Sequence, residues 1–378
     1  MRRAYLDHAS TSPLRPAAFE AMLPFLRDHH ADPGRLHAEG RVTRVALEDA
    51  RERVAALLGA RPREVVFTAG GTEAVNTAVW GALTRAEEAR HIVTTAVEHS
   101  AVLDACNRSG ADVTVVGVDR RGRFDAAEVL DAVRPETALV TVQLANHEVG
   151  TIQPAGEVAA AGREHGVLVH VDACMAAGHL PVDFSALGAD LCSVSAHKFG
   201  GPKGAGALLV RRGLRLPPFV VGGAQERARR GGLEDVPAMV GFGVTAAELA
   251  SGDALAAEAR PQRELTERVA QEAPARVGGV EQYGDPVDRV PQLVCLGVEG
   301  VEAEPILLGL DQRGVAVHSG SACSSEALEP SPILAAMGVD ADHSLRVSVG
   351  WSSAPEDVDA FLDAFPAVVD RLRALRAG

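Results

Sequence analysis

"VLVHVDACMAAGHLPVDFSALGADLCSVSAHKFGGPKGAGALLV", residues 167–210, carries three short apolar, β-rich runs: 167–173, 191–198 and 206–210. The first carries Asp172 one residue before its end and the second ends on Lys198, two charged residues where an apolar strand stops. A helix-length segment separates the first two runs, which describes parallel strands covered on both faces. The last two are joined by the glycine-rich "FGGPKGAG", which is short enough for an antiparallel hairpin.

Upstream the pattern repeats, with strand-like runs at 64–69, 91–96, 113–118 and 138–146. Between such runs lie periodic stretches. Leu47, Ala50, Val54, Leu57 and Leu58 are spaced by three and four, which puts them on one helical face. The expectation is an α/β fold with a mostly parallel seven-stranded sheet and helices on both faces. Beyond about residue 255 the texture changes to a long helix, strands at 292–298, 314–320 and 345–350, and a terminal helix from about Pro355 to Leu375. This reads as a smaller α+β unit. The expected division is a large unit of residues 15–254 and a small one made of 1–14 and 255–378.

The composition narrows the class. Of 378 residues, 47% are hydrophobic, enough for a sizeable core. No stretch approaches a membrane span and no signal peptide is visible, so a soluble, cytoplasmic protein is expected. Five cysteines (Cys106, Cys174, Cys192, Cys295 and Cys323) lack metal-ligand spacing, and their odd number argues against a disulfide framework. No metal site is expected. A net charge of −14 disfavours nonspecific contact with nucleic acid or anionic membranes. The basic stretch "QERARRGG" (225–232) stays open as an anion site.

Lys and Arg total 37, yet only Lys198 and Lys203 are lysines. Lysine, unlike arginine, can shed its proton in a desolvated site and attack a carbonyl. In open α/β sheets ligands gather at the carboxyl ends of strands, so polar residues there are read first. "TAGGTEAVN" (68–76) follows a strand and opens a helix. Its backbone N–H groups suit a phosphate, or simply form a capped turn. Asp172 suits a protonated ring nitrogen, or a helix N-cap. With Lys198 as a Schiff-base lysine, these three features together suggest pyridoxal phosphate. His99 in "VEHSAV" follows a strand, where an imidazole suits stacking on such a ring or is an ordinary surface histidine, and Arg346 in "SLRVSVG" is a candidate clamp for an amino-acid carboxylate.

These motifs, with "YLDHASTSP", "ANHEVGTIQP", "SAHKFGGPKGAGAL" and "SGSACSSEALEPS", resemble in order and spacing the cysteine desulfurases. Those are pyridoxal 5'-phosphate enzymes of fold type I, class V aminotransferase group, and the cysteine motif resembles the subgroup with a long mobile cysteine loop. The resemblance implies that Lys198 holds the cofactor, Asp172 pairs with its ring nitrogen and His99 stacks on it. Thr72, Ser195, His197 and the amide of Gly71 would bind the phosphate. Asn146 and Arg346 would position the substrate carboxylate, and Cys323, among small polar neighbours, would take sulfur from L-cysteine as a persulfide. A homodimer and a sulfur-acceptor protein are the implied partners.

Departures accompany the match. Met175 stands in the cofactor site where the family usually has a glutamine bonded to the cofactor's phenolic oxygen, and methionine cannot donate. Leu233 stands where a threonine commonly reaches the neighbouring subunit's phosphate, and Asp235 where asparagine is common. Two other readings are carried: a selenocysteine lyase or another carbon-sulfur lyase or epimerase of the same group, and a catalytically impaired scaffold for sulfur-carrier proteins.

Overall fold

From the N-terminus, a two-residue strand β1 (Ala4–Tyr5) leads to helices α1 (Pro16–Arg27) and α2 (Ala38–Leu57). Strands and helices then alternate through β2 (Val65–Thr68), α3 (Gly71–Arg85), β3 (His91–Thr95), α4 (Ser100–Arg108), β4 (Asp112–Val116) and α5 (Ala126–Asp131). They continue with β5 (Thr137–Gln143), α6 (Ala155–His165), β6 (Leu168–Asp172), α7 (Phe184–Leu187), β7 (Leu191–Ser195) and β8 (Gly206–Val210). The computed structural model describes residues 3–86, 88–319 and 330–377.

These strands form a seven-stranded sheet ordered β2-β8-β7-β6-β5-β3-β4. The pairs from β7 through β4 are parallel, each strand being returned to the same end by a crossover. β8 runs antiparallel to β7 and to β2, as the glycine-rich hairpin anticipated. Neighbouring side chains on a strand enter different cores. Val65 and Phe67 join the large cluster that includes the α2 face, whereas Val66 packs with Ala74 and Ala78 of α3. That alternation is the period-two signature of a sheet covered on both faces. On α2, Leu47 and Val54 are fully buried, each worth about 2 kcal/mol of transfer free energy.

After the single turn α8 (Gln225–Ala228) come helices α9 (Val236–Ala250) and α10 (Ala254–Arg276). The remaining chain supplies β9 (Val280–Tyr283), β10 (Leu293–Val298), α11 (Ala303–Asp311), β11 (Val315–Ala316), α12 (Pro332–Ala336), β12 (Ser344–Ser348) and α13 (Pro355–Ala377). β12, β10 and β9 make an antiparallel sheet with its own apolar cluster, into which Ala4 and Leu6 also pack.

Two expectations need correction here. The described part of the run 314–320 yields the two-residue β11, which pairs with β1, and one isolated antiparallel bridge from His318 to Arg346 of β12, so it touches the three-stranded sheet without becoming a strand of it. The third strand of that sheet is β9, whose Glu281 and Gln282 interrupt any apolar run. Among the described residues no helix is long and apolar enough to cross a membrane.

Candidate active site

β5, β6 and β7 deliver their last residues, Gln143, Asp172 and Ser195, to one cavity of about 200 Å³. It gathers eight of the anticipated residues: Gly71, Thr72, His99, Asp172, Met175, Ser195, His197 and Lys198. Gln143, Ala145, His147 and Cys174 also line it. Asn146 and Arg346 do not, and Cys323 with its loop lies outside the described residues.

Lys198 sits on the 3-10 turn Ala196–Phe199 that ends β7. Its Nζ donates to the main-chain oxygens of Ala9 at 2.7 Å and Ser10 at 3.3 Å. The turn closes on Gly200, at φ 91°, where a Cβ would stand 2.8 Å from Arg15 and Trp351. Asp172 ends β6, and its Oδ1 accepts from the Cys174 amide at 3.0 Å. No helix follows until α7, so the helix-capping alternative is not realised. Asp172 is instead a buried carboxylate at a strand end, across from Gln143 on β5 and Ser193 on β7.

His99 precedes α4 and caps it, with Nδ1 accepting from the Ala101 amide at 3.0 Å. That bond leaves Nε2 as the ring's donor in the neutral tautomer. The His147 ring lies beside it, centroids 4.9 Å apart and planes at 55°. At the other end of the cavity, α3 opens at Gly71 and Thr72, next to Ser195 and His197. Burial, then Lys198 and Lys203, pushes the His197 pKa down to about 4. The His197 ring is therefore neutral, and its buried Nδ1 has no hydrogen-bond partner among the described residues.

Beneath the cavity, Glu98 accepts from the Thr95 hydroxyl at 2.5 Å and the Gln143 amide at 3.0 Å. Burial raises its pKa to about 8 against those two bonds, and Asp172 adds to the rise. His170, on the same face of β6 as Asp172, bonds Thr141 at 2.8 Å and Ser193 at 2.7 Å. The Cys174 thiol is pushed far up, first by burial and then by Asp172, so it is a packed neighbour of Gly71 and not a thiolate.

Arg346 is 1% exposed and donates to Asp7 (2.9 Å), Ser10 (2.7 Å) and the His147 carbonyl (3.0 Å). Its Nε is buried without a partner among the described residues. The Asn146 side chain is spent locally, its oxygen accepting from the Glu148 and Val149 amides and its nitrogen donating to the Val97 carbonyl. The arginines of 225–232 are likewise engaged, with Glu48, Glu73 and main-chain oxygens, so the anion site left open there is not formed. Asp235 caps α9 through the Ala238 amide, a task asparagine performs equally well. His147 and Gln143 were missed in sequence, although a polar residue closing an apolar run was the available signal.

The class V aminotransferase family model matches residues 4–361. A cysteine desulfurase IscS from Dictyoglomus turgidum is 40% identical over 99% of this chain and 96% of its own length. Among solved structures, a NifS-like protein superposes with a TM-score of 0.91 at 31% identity, covering 98% of this chain and 100% of that one. The structure of SspA in complex with cysteine gives a TM-score of 0.81 at 30% identity, covering 93% and 100%. This chain belongs to the class V aminotransferase family. Within that family it falls among the cysteine desulfurases, enzymes whose cofactor is pyridoxal phosphate. The cavity fits that cofactor: an amine and a carboxylate stand on adjacent strand ends, and an orphaned imidazole nitrogen lies beside a helix start.

Proposed function

We propose that this chain converts L-cysteine to L-alanine and holds the released sulfur as a persulfide on Cys323 for transfer to an acceptor protein. Pyridoxal phosphate, when bound, supplies the electron sink that lets bonds next to the amino-acid Cα break. In the net reaction the substrate's carbon-sulfur bond breaks and a sulfur-sulfur bond to Cys323 forms. The substrate carbon keeps an electron pair and takes a proton, so no external oxidant is required.

The convergence of Lys198, Asp172 and His99 in one cavity carries this reading. Lys198 would hold the cofactor and move the proton at Cα. Asp172 would face the ring nitrogen and His99 the ring. The Gly71 amide, Thr72, Ser195 and neutral His197 would bind the phosphate, with Met175 packing at the ring margin. Arg346, supported by Asn146, would take the substrate carboxylate through its unpartnered Nε, beside the bonds to Asp7 and Ser10. The working form would be a cytoplasmic homodimer of two-part subunits, 15–254 against 1–14 with 255–378.

The test is alanine production from L-cysteine by wild type and Cys323→Ser, with bound sulfur located by mass spectrometry. Alanine and an added sulfur on Cys323 in wild type only are expected. Alanine from neither protein, with cofactor bound to both, would overturn the reading.

A further inference from the structure

The helix that opens at the proposed phosphate end carries an acid in its first turn. Glu73 lies two residues beyond Gly71, where a carboxylate would repel a bound dianion. It is not left bare. Arg230 meets it with two bonds, Nε to Oε1 at 2.9 Å and the terminal nitrogen to Oε2 at 3.1 Å. The same Oε2 accepts from the Ala69 amide at 3.0 Å, inside the turn that joins β2 to α3.

Arg230 is delivered by strained backbone. Glu226, Arg227 and Ala228, at φ 48°, 60° and 61°, are the only non-glycine residues with positive φ among the described ones. Such a turn persists only where its surroundings over-determine it. Here Arg51 holds the buried Glu226 with bonds of 2.6 and 2.7 Å, and Glu226 accepts from the Phe67 amide of β2 at 2.9 Å. One five-residue stretch therefore grips both limbs of the turn, β2 through Glu226 and α3 through Arg230.

We propose that residues 226–230 are a clamp on the β2–α3 turn, in which Arg230 is a positioning residue that neutralises Glu73 so that the turn accepts the cofactor phosphate. This rests on the phosphate lying at Gly71 and Thr72. Arg230 touches neither cofactor nor substrate in this assignment. It acts through Glu73, by charge and by orientation.

The experiment compares dissociation constants for pyridoxal phosphate and for pyridoxal, which share the aldehyde and differ in the phosphate. The proteins are wild type, Arg230→Met, Glu73→Gln, the double variant and Thr72→Val. Arg230→Met should weaken the phosphorylated ligand about tenfold and leave pyridoxal unchanged. The double variant should recover most of that loss. Glu73→Gln, which keeps an oxygen for the Ala69 amide, should bind the phosphorylated ligand at least as tightly as wild type. It also provides a reading if Arg230→Met does not fold. Equal loss for both ligands in Arg230→Met, no recovery in the double variant, or weaker phosphate binding by Glu73→Gln overturns the clamp's electrostatic role. If Thr72→Val loses the preference for the phosphorylated ligand while Arg230→Met keeps it, only the clamp fails. If Thr72→Val keeps the preference, the phosphate lies elsewhere and both readings fall.

Discussion

The amine of Lys198 lies 2.7 Å from the main-chain oxygen of Ala9, so the segment that follows β1 reaches across to the turn after β7 and fixes the lysine's resting position. Lys198→Arg keeps a donor for that oxygen but not an amine able to attack a carbonyl. It is expected to fold, to show no absorbance that borohydride bleaches, and to make alanine at least about a thousandfold more slowly. A bleachable band in the variant would remove Lys198 from its role.

Gly71 faces Cys174 so closely that a Cβ there would stand 2.6 Å from the sulfur. Gly71→Ala should therefore weaken pyridoxal phosphate binding, and adding Cys174→Ala should restore part of it by removing the clash. Titration of the apo-protein with cofactor checks both variants.

Glu98 raises a pH dependence with a definite sign. Its folded pKa of about 8 exceeds the ordinary 4.5, so the native state binds the extra proton and loses stability as pH rises between those values. Glu98→Gln keeps the acceptor oxygen and removes the titration. Denaturant unfolding should show wild type falling relative to this variant from pH 4.5 towards 8, and parallel profiles would contradict the buried acid.

Four histidines act in the opposite sense. Burial, the largest cause for each, lowers His8, His170, His179 and His197 from 6.5 to about 4. The unfolded chain takes up these protons first, so stability should fall as pH drops from 6.5 to about 4, with proton uptake on unfolding. Calorimetry in buffers of different ionisation enthalpy measures that uptake. His170→Gln should reduce it by close to one proton.

Ala228 adopts φ 61°, a left-handed conformation that costs an L-residue roughly 1–2 kcal/mol. Ala228→Gly should raise stability by about 1 kcal/mol once the glycine's greater unfolded entropy is counted. Arg51→Met, which leaves Glu226 buried and unpaired, should cost about 3–5 kcal/mol. Thermal unfolding of both variants separates strain from its support.

Much of the large sheet was legible because its strands are local statements. Runs such as 138–146 and 191–198 are apolar on both faces, and the turn after Lys198 is spelled in glycine. β9 and β11 were not legible in the same way. β9 has two polar residues between two buried ones, and β11 is a strand only because β1 lies next to it. The cavity was partly legible. Lys198, Asp172 and His99 announced themselves at or just after strand ends, and Cys174 follows Asp172 directly, while Gln143 and His147 meet them because β5 pairs with β6, strands separated in sequence by α6.

The sequence by itself determined the alternation of strands and helices, the positions of the strand-end residues and the family, since each depends on residue types and spacings along the chain. Only the tertiary structure decided that burial raises the Glu98 pKa to about 8, that burial lowers those of His170 and His197 to about 4, and that the arginines of 225–232 serve Glu48, Glu73 and the backbone instead of an anion. Desolvation and charge pairing depend on which distant segments pack together, and that information appears only once the chain has folded.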